Sequence, residues 1–319
     1  MMTLTRRLLA GGALALVACA SSWAGPPQVK GQAPGWYRMP LGSFEVTALN
    51  DGTVDLPVDK LLTNISPDGV KMLLARSHLA TPLETSVNGF LVNTGSKLIL
   101  IDTGAAGLFG PTLGKLVANL QASGYQPEQV DEIYITHMHA DHVGGLMVGA
   151  TRTFPNAVVR ADVAESGYWL SQRNMDAAPE SAKEFFKGAM ASLNPYVAAG
   201  RFKPFEGAVE LAPDIHSLPA HGHTPGHTAY VLDSDGQRMV MWGDLMHVAA
   251  VQFVLPTVTI QFDTDPAMAA PVRAKNFADA AASGYYVALA HLPFPGIGRL
   301  RADGRGGYDW LPTNYERAK

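Results

Sequence analysis

The sequence predicts one α/β domain in which two β-sheets pack face to face with helices on the outside. Three observations carry that prediction. Strand-like apolar runs alternate with segments of helical period, and no repeat of fixed period appears. No linker after residue 36 is strong enough to split the chain. The residues with metal-binding chemistry fall just after predicted strands, the edge at which sheet-based α/β proteins place their sites. Of the 319 residues, 47% are hydrophobic and 16% charged, enough to build a substantial core.

The N-terminus reads as a targeting segment. Arg6 and Arg7 precede an apolar run from Leu8 to Ala20, and small residues follow up to Ala24-Gly25. That order is a secretory signal, and the run is shorter than the roughly 20 residues of a membrane span. Residues 1–24 are therefore expected to be removed, leaving an exported, periplasmic or secreted chain with no stable membrane span. Thr5-Arg6-Arg7-Leu8-Leu9 resembles a twin-arginine signal, which suits export with metals already bound, and a Sec signal is the other route. Cleavage before Cys19, with lipid anchoring, ranks behind cleavage after Ala24. Cys19 is the only cysteine, so the mature chain is expected to lack disulfides and thiolate ligands, and a metal must sit on His, Asp or Glu. The net charge of −4 argues against a nucleic-acid partner. Arg299, Arg301 and Arg305 read as a solvated loop.

Residues 25–35, rich in Gly, Pro and Gln, read as a linker, and 36–319 as the folded domain. Phe44–Leu49 alternates as a strand, and Asn50-Asp51-Gly52 reads as a turn. Residues 55–80 mix helical and loop signals, with His78 near a helix end. Phe90–Val92 and Lys97–Ile101 are strands, the second ending at Asp102-Thr103-Gly104. Leu113, Leu116, Val117 and Leu120 recur at helical spacing. Val130–Thr136 and Ala157–Arg160 are strands, and 180–193 is helical. From Leu218 onward strands dominate: 229–232, 239–242 and 287–290.

The segment Thr136-His137-Met138-His139-Ala140-Asp141-His142 puts four potential ligands within six residues, directly after a strand. His137 and His139 can share one ion while Asp141 and His142 face a second; neutral imidazole and carboxylate suit Zn²⁺ or a similar divalent ion. The plainer reading is a histidine-rich surface loop, which has no need to follow an apolar strand in this packed pattern. Further candidates stand downstream in His221-Gly222-His223-Thr224-Pro225-Gly226-His227, Trp242-Gly243-Asp244 and Ala290-His291-Leu292.

His-x-His-x-Asp-His, Pro-Gly-His, Gly-Asp and a late His together resemble the signature of the metallo-β-lactamase superfamily. The resemblance implies an αββα sandwich, two mixed β-sheets between helices, with two divalent metals at one edge: most simply Zn²⁺, with Mn, Co or Fe as alternatives. It implies that His137, His139 and His227 hold one ion, that Asp141, His142 and His291 hold the other, and that Asp244 bridges them. Asp102 matches the superfamily's first motif aspartate, implying that it orients a ligand imidazole; from the residues alone it reads equally well as a turn carboxylate. His221 and His223 are expected to stand behind the ligands or in solvent, and His78 and His216 to be surface or structural histidines.

A closer similarity is to methyl parathion hydrolases and their lactone-hydrolysing relatives. It rests on Gly35–Met39, Leu83–Val87, Thr103–Gly110, Phe185–Met190 and Phe294–Gly298, which lie outside the ligand set. It implies a substrate pocket lined by Phe109, Trp169 and Phe185, and a homodimer. Leu61 stands where the phosphotriesterase members carry Arg, His247 where they carry an aliphatic residue, and Ile260 and Phe262 where they carry Thr and Leu. Bulky His247 and Phe262 would narrow the pocket and favour a flat lactone or aryl ester over a phosphotriester. His247 is expected either to donate a hydrogen bond to the leaving oxygen or to pack. The catalytic set is thus Asp141, Asp244 and His247. The leading expectation is hydrolysis of an aromatic lactone such as dihydrocoumarin, or of an aryl ester, by hydroxide that zinc makes available near neutral pH, with organophosphate hydrolysis as a side activity. The alternatives are a dedicated phosphotriesterase, an acyl-homoserine-lactone hydrolase, an iron-dependent redox enzyme, and a metal-binding protein without catalysis.

Overall fold

Apolar side chains alternate along the predicted strands, and the fold turns that alternation into two buried faces. In β5 (Leu98–Ile101), Leu98 and Leu100 face one core while Ile99 and Ile101 face another. The computed structural model describes residues 26–29 and 31–315. The expected signal segment, with Cys19, lies outside the described residues. In the expected linker, 26–29 and 31–34 have no regular structure.

The first sheet has the order β1 (Trp36–Leu41), β2 (Phe44–Leu56), β4 (Leu83–Asn93), β5, β6 (Glu132–Tyr134), β9 (Val158–Arg160). Pairing is antiparallel from β1 to β5 and parallel from β5 to β9. The second sheet has the order β10 (Glu210–Ala212), β11 (Ile215–Pro219), β12 (Thr228–Ser234), β13 (Gln237–Met241), β15 (Tyr286–Ala288), β16 (Ile297–Ala302), β17 (Tyr308–Pro312). It is antiparallel except between β13 and β15. Two short pairs stand apart: β3 (Leu62–Thr63) with β14 (Thr259–Ile260), and β7 (Met147–Val148) with β8 (Thr151–Arg152). The helices are α1 (Val58–Leu61), α2 (Pro67–Arg76), α3 (Leu116–Ala122), α4 (Ala140–Val143), α5 (Val163–Trp169), α6 (Gln172–Ala177), α7 (Glu180–Ala198), α8 (Ala249–Gln252) and α9 (Pro266–Ser283).

Val46, Phe90, Ile99 and Tyr134 meet Tyr230, Leu232, Met239 and Met241 between the sheets. Outside the first sheet, Leu116, Leu120, Phe186, Leu193 and Tyr196 cover Leu91, Leu100, Ile133 and Val159. Outside the second, Phe277 and Ala280 of α9 cover Trp242, Val287 and Leu289. Each such side chain contributes about 1.5–3 kcal/mol by leaving water. This is the αββα sandwich that the sequence predicts. No helix among the described residues is long and apolar enough to cross a membrane.

Two local expectations are corrected. Asn50-Asp51-Gly52 is not a turn: β2 runs through it as a bulge, where the register with β4 shifts. The Asp51 carboxylate holds the bulge in place by accepting the N–H groups of Ala105, Gly114 and Leu116 at 2.9, 3.0 and 2.9 Å. The strand-rich reading after Leu218 misses α9. Its boundaries are written in the sequence, with Asp265 accepting the Met268 N–H, Pro266 in the first turn and left-handed Gly284 at the end. Pro271 inside the helix obscures the pattern.

Candidate metal centre

β6 delivers the chain to the site, and the His137–His142 segment turns into α4 directly after it. Gly145 lets that turn sit tightly under Thr103: a Cβ there would lie 1.9 Å from the Thr103 carbonyl oxygen. Among the described residues the ligand-type atoms form three groups, one of which, Asp244, His247 and His291, overlaps the other two. His137, His139, His223 and Asp244 lie within 4.8 Å of one another, as do Asp141, His142 and His291. Asp244 stands between them. Its Oδ2 is 3.5 Å from His137 Nε2, 3.4 Å from His223 Nε2 and 3.1 Å from His291 Nε2, and its Oδ1 is 3.3 Å from His142 Nε2. Asp141 Oδ2 is 3.7 Å from His142 Nε2 and 3.5 Å from His291 Nε2.

The buried atoms His137 Nε2, His142 Nε2 and Asp244 Oδ1 have no hydrogen-bond partner. Leaving such atoms unpaired costs about 1–3 kcal/mol each, and a cation among them removes that cost. Ligands bound to one zinc ion at about 2.0–2.1 Å and tetrahedral angles lie roughly 3.3–3.4 Å apart, close to the separations found here. Burial holds His137 and His139 well below the usual histidine range, so both are neutral. Burial alone would raise Asp244, but His142, His291, His247 and His137 outweigh it and keep the carboxylate ionised. The donor set fits two divalent cations.

The far sides of the imidazoles are anchored. His142 Nδ1 is 2.8 Å from Asp102 Oδ2, and the same carboxylate accepts the Thr136 N–H and hydroxyl. His223 Nδ1 is 2.8 Å from Asp263 Oδ1, and His291 Nδ1 is 3.0 Å from the Ser86 carbonyl oxygen. Glu165 of α5 is fully buried and joins two ligand loops. It accepts the Met138 N–H at 2.8 Å, between His137 and His139, and the Thr224 hydroxyl and Gly226 N–H at 2.7 and 2.9 Å, beside His223. Such anchoring fixes which nitrogen faces the ion.

A family model of the metallo-β-lactamase superfamily matches residues 83–289. The chain belongs to that superfamily. An N-acyl homoserine lactonase of Bacillus sp is 28% identical over 178 residues, 50% of this chain and 63% of its own length. One of Bacillus cereus is 27% identical over 170 residues, 50% of this chain and 59% of its own length. The chain thus spans less than two thirds of the curated relatives it matches. Among solved structures, the hydrolase AbOPH superimposes with a TM-score of 0.86 at 37% identity, covering 90% of this chain and 100% of that one. AidC, a dizinc quorum-quenching lactonase in complex with a product, N-hexanoyl-L-homoserine, superimposes with a TM-score of 0.81 at 26% identity, covering 89% of this chain and 99% of that one.

Within this superfamily fold, one expected ligand is replaced. His223, not His227, joins His137 and His139. Both nitrogens of His227 are engaged elsewhere: Nδ1 is 3.1 Å from the Ala220 carbonyl oxygen, and Nε2 accepts the Asp244 N–H at 3.0 Å. Burial lowers its pKa to about 3, so it is the neutral tautomer that props the Asp244 loop. His221 is half-buried and His78 exposed, and neither joins a cluster.

A pocket opens over both clusters, lined by Val54, Leu56, Phe109, Ala140, Phe185 and Phe262 with His139, Asp141, Asp244, His247 and His291. Of the expected pocket residues, Leu61 and Ile260 do not line it. Ile260 is buried in the core under α2 and α8, where it pairs with Leu62 across β14 and β3, and half-buried Leu61 packs against that core. Trp169 stands behind the pocket: its ring packs on His139 at 5.3 Å and on Phe186 at 4.7 Å. It lines a neighbouring depression with Phe185 and Phe262. Val54 and Leu56 carry no local signal and enter the wall because β2 is long. His247 Nε2 lies 3.1 Å from Asp244 Oδ2, and its ring stacks on His291 at 5.0 Å. His247 thus stands beside Asp244 and His291 at the inner wall of the pocket.

Proposed function

We propose that this chain is a dinuclear metal-dependent hydrolase of small lactones, with aromatic lactones such as dihydrocoumarin and aryl esters preferred and organophosphates as side substrates. The observation that carries the reading is the buried Asp244 carboxylate, which stands between two histidine clusters and opens into an aromatic-walled pocket. Two divalent ions, zinc first among them, would supply hydroxide near neutral pH and polarise the substrate oxygen. His137, His139 and His223 would hold one, Asp141, His142 and His291 the other, with Asp244 between. Phe109, Phe185, Phe262 and His247 give the pocket an aromatic wall, which suits a flat ring. Asp102 and Asp263 hold the imidazoles behind it. The likeness to AidC over 89% of this chain also supports an acyl-homoserine lactone as substrate.

The test is kcat/KM for dihydrocoumarin, phenyl acetate, hexanoyl-homoserine lactone and methyl paraoxon on protein of known metal content. Preference for the lactones supports the reading. Preference for methyl paraoxon makes the chain a phosphotriesterase. A single bound iron with oxygen uptake, or metal binding without turnover of any substrate, sinks the hydrolase.

A further inference from the structure

His247 offers a ligand atom within 4.8 Å of those of Asp244 and His291. Its Nε2 is 3.1 Å from Asp244 Oδ2, the distance at which His291 Nε2 stands from the same oxygen. The two rings lie nearly parallel, 16° apart. Four imidazole nitrogens thus converge on Asp244 Oδ2, those of His137, His223, His247 and His291, at 3.5, 3.4, 3.1 and 3.1 Å. One carboxylate oxygen has about two lone-pair sites, so hydrogen bonds cannot account for all four approaches. Cations between the oxygen and the rings can. His291 gives its Nδ1 proton to the Ser86 carbonyl oxygen at 3.0 Å, which leaves Nε2 of the neutral ring with a lone pair and no proton for Asp244. The far side of His247 carries no such bond, since its buried Nδ1 has no hydrogen-bond partner. Nothing there fixes the tautomer, and Nε2 is free to present its lone pair. The backbone beneath the ring is held in place: the buried Gln252 side chain accepts the N–H groups of His247 and Val248 at 2.8 and 3.0 Å.

We infer that His247 is a metal ligand, which with Asp244 and His291 completes a third coordination set at the inner wall of the pocket. The inference rests on the dinuclear reading of the site. His291 is common to this set and to that of Asp141 and His142. One imidazole nitrogen binds one ion, so both sets serve the same ion, and His247 is a ligand it has beyond Asp141 and His142. The group of the other ion, His137, His139, His223 and Asp244, does not include His247. Bonds of about 2.0–2.1 Å to atoms 3.1 Å apart meet at roughly 100°. That is tighter than a tetrahedral angle and suits an ion with more than four ligands. Two other roles for the same ring differ from ligation in what they require: a hydrogen bond to Asp244 needs a donor, and packing on His291 and Phe262 needs only a ring.

The experiment titrates Zn²⁺ and Co²⁺ into metal-free protein against a competing chelator, for the parent, His247→Gln and His247→Phe. Gln keeps an amide that can donate to Asp244, and Phe keeps a ring against His291; both discard the imidazole nitrogen. Losing a group that merely supports a ligand costs about 10–100-fold in metal affinity, so losing a ligand should weaken the ion on His291 at least about tenfold in both variants. The ion on His137, His139 and His223 should bind as in the parent, which shows that the variants are folded. The visible absorption of the Co²⁺ ion on His291 should change in position and intensity, because it reports the number and type of ligands. Parent affinity in His247→Gln makes His247 a hydrogen-bond donor to Asp244, and parent affinity in His247→Phe makes it a packing residue; either overturns the ligand. A second measurement needs no variant. In parent protein loaded with a spin-active cadmium isotope and isotopically labelled histidine, metal–nitrogen coupling should appear on the His247 ring, and its absence overturns the ligand even where the variants do not fold. Parent protein that retains fewer than two ions overturns the dinuclear reading instead; coupling from a single ion to His247 would still support the ligand, and no coupling would overturn both.

Discussion

Replacing Glu165 with Gln changes one atom and takes away a bond that both ligand loops depend on. The carboxylate now accepts two backbone N–H groups, from Met138 and Gly226, and the Thr224 hydroxyl. A carboxamide has one acceptor oxygen. With that oxygen toward Met138, its NH₂ confronts the Gly226 N–H; turned over, it confronts the Met138 N–H. Thr224 can rotate to accept, but a backbone N–H cannot. One buried donor is orphaned, and one amide proton faces it, at about 1–3 kcal/mol each. Against this, burial pushes Glu165 above the usual carboxylate range, so losing the charge returns part of the loss. The net expectation is about 1–3 kcal/mol, or a fall in Tm of roughly 2–10 °C for a domain of this size. Because Met138 lies between His137 and His139, the first ion should bind about 10–100-fold more weakly. Calorimetric melting of metal-free protein and zinc titration against a competing chelator measure the two effects. A Glu165→Gln protein that melts within about 1 °C of the parent and binds both ions with unchanged affinity would refute the hydrogen-bond argument.

Three further variants probe neighbouring parts of the site, and a fourth experiment probes export. His223→Ala should drop bound metal from two ions to about one, by elemental analysis, and abolish lactone hydrolysis. His227→Ala should instead orphan the Asp244 N–H and the Ala220 carbonyl and destabilise by about 2–4 kcal/mol in denaturant melts, while protein that remains folded still binds two ions; loss of one ion with full stability would restore His227 as a ligand. Arg273 is fully buried, bonds the carbonyls of Leu245, Pro256 and Val258, and lies 3.7 Å from Asp263. Arg273→Met removes a buried cation from beside Asp263, which keeps its contacts with His223 and the Ile260 N–H, and takes the donor from the Leu245 and Pro256 carbonyls; it should cost about 3–5 kcal/mol, with partial recovery in the double variant Arg273→Met/Asp263→Asn. If residues 1–24 direct export, deleting them should move the protein from the periplasmic to the cytoplasmic fraction, and an unchanged distribution would discard that assignment.

The sequence alone determined what is local. The His137–His142 cluster could be read because its ligand spacing and the upstream strand are written within a few residues, whereas Asp244 and His291 stand out only through the resemblance to the superfamily's motifs. The two-sheet layering could be read because Leu98–Ile101 and its counterparts alternate with period two. What the tertiary structure decided is direction and company. His221, His223 and His227 offer the same chemistry on one turn, and only the packed loop shows that His227 spends both nitrogens on backbone while His223 points inward against Asp263. Glu165, Asp263 and Arg273 carry no motif, because partners such as Met138 and Thr224 for Glu165, His223 for Asp263 and Leu245 for Arg273 stand on other elements and meet them only when the chain packs. Ile260 fell into the core, Leu61 against it, and Val54 and Leu56 into the pocket wall for the same reason. Local spacing fixes which groups are available, but a side chain's partners are set by the packing of distant elements.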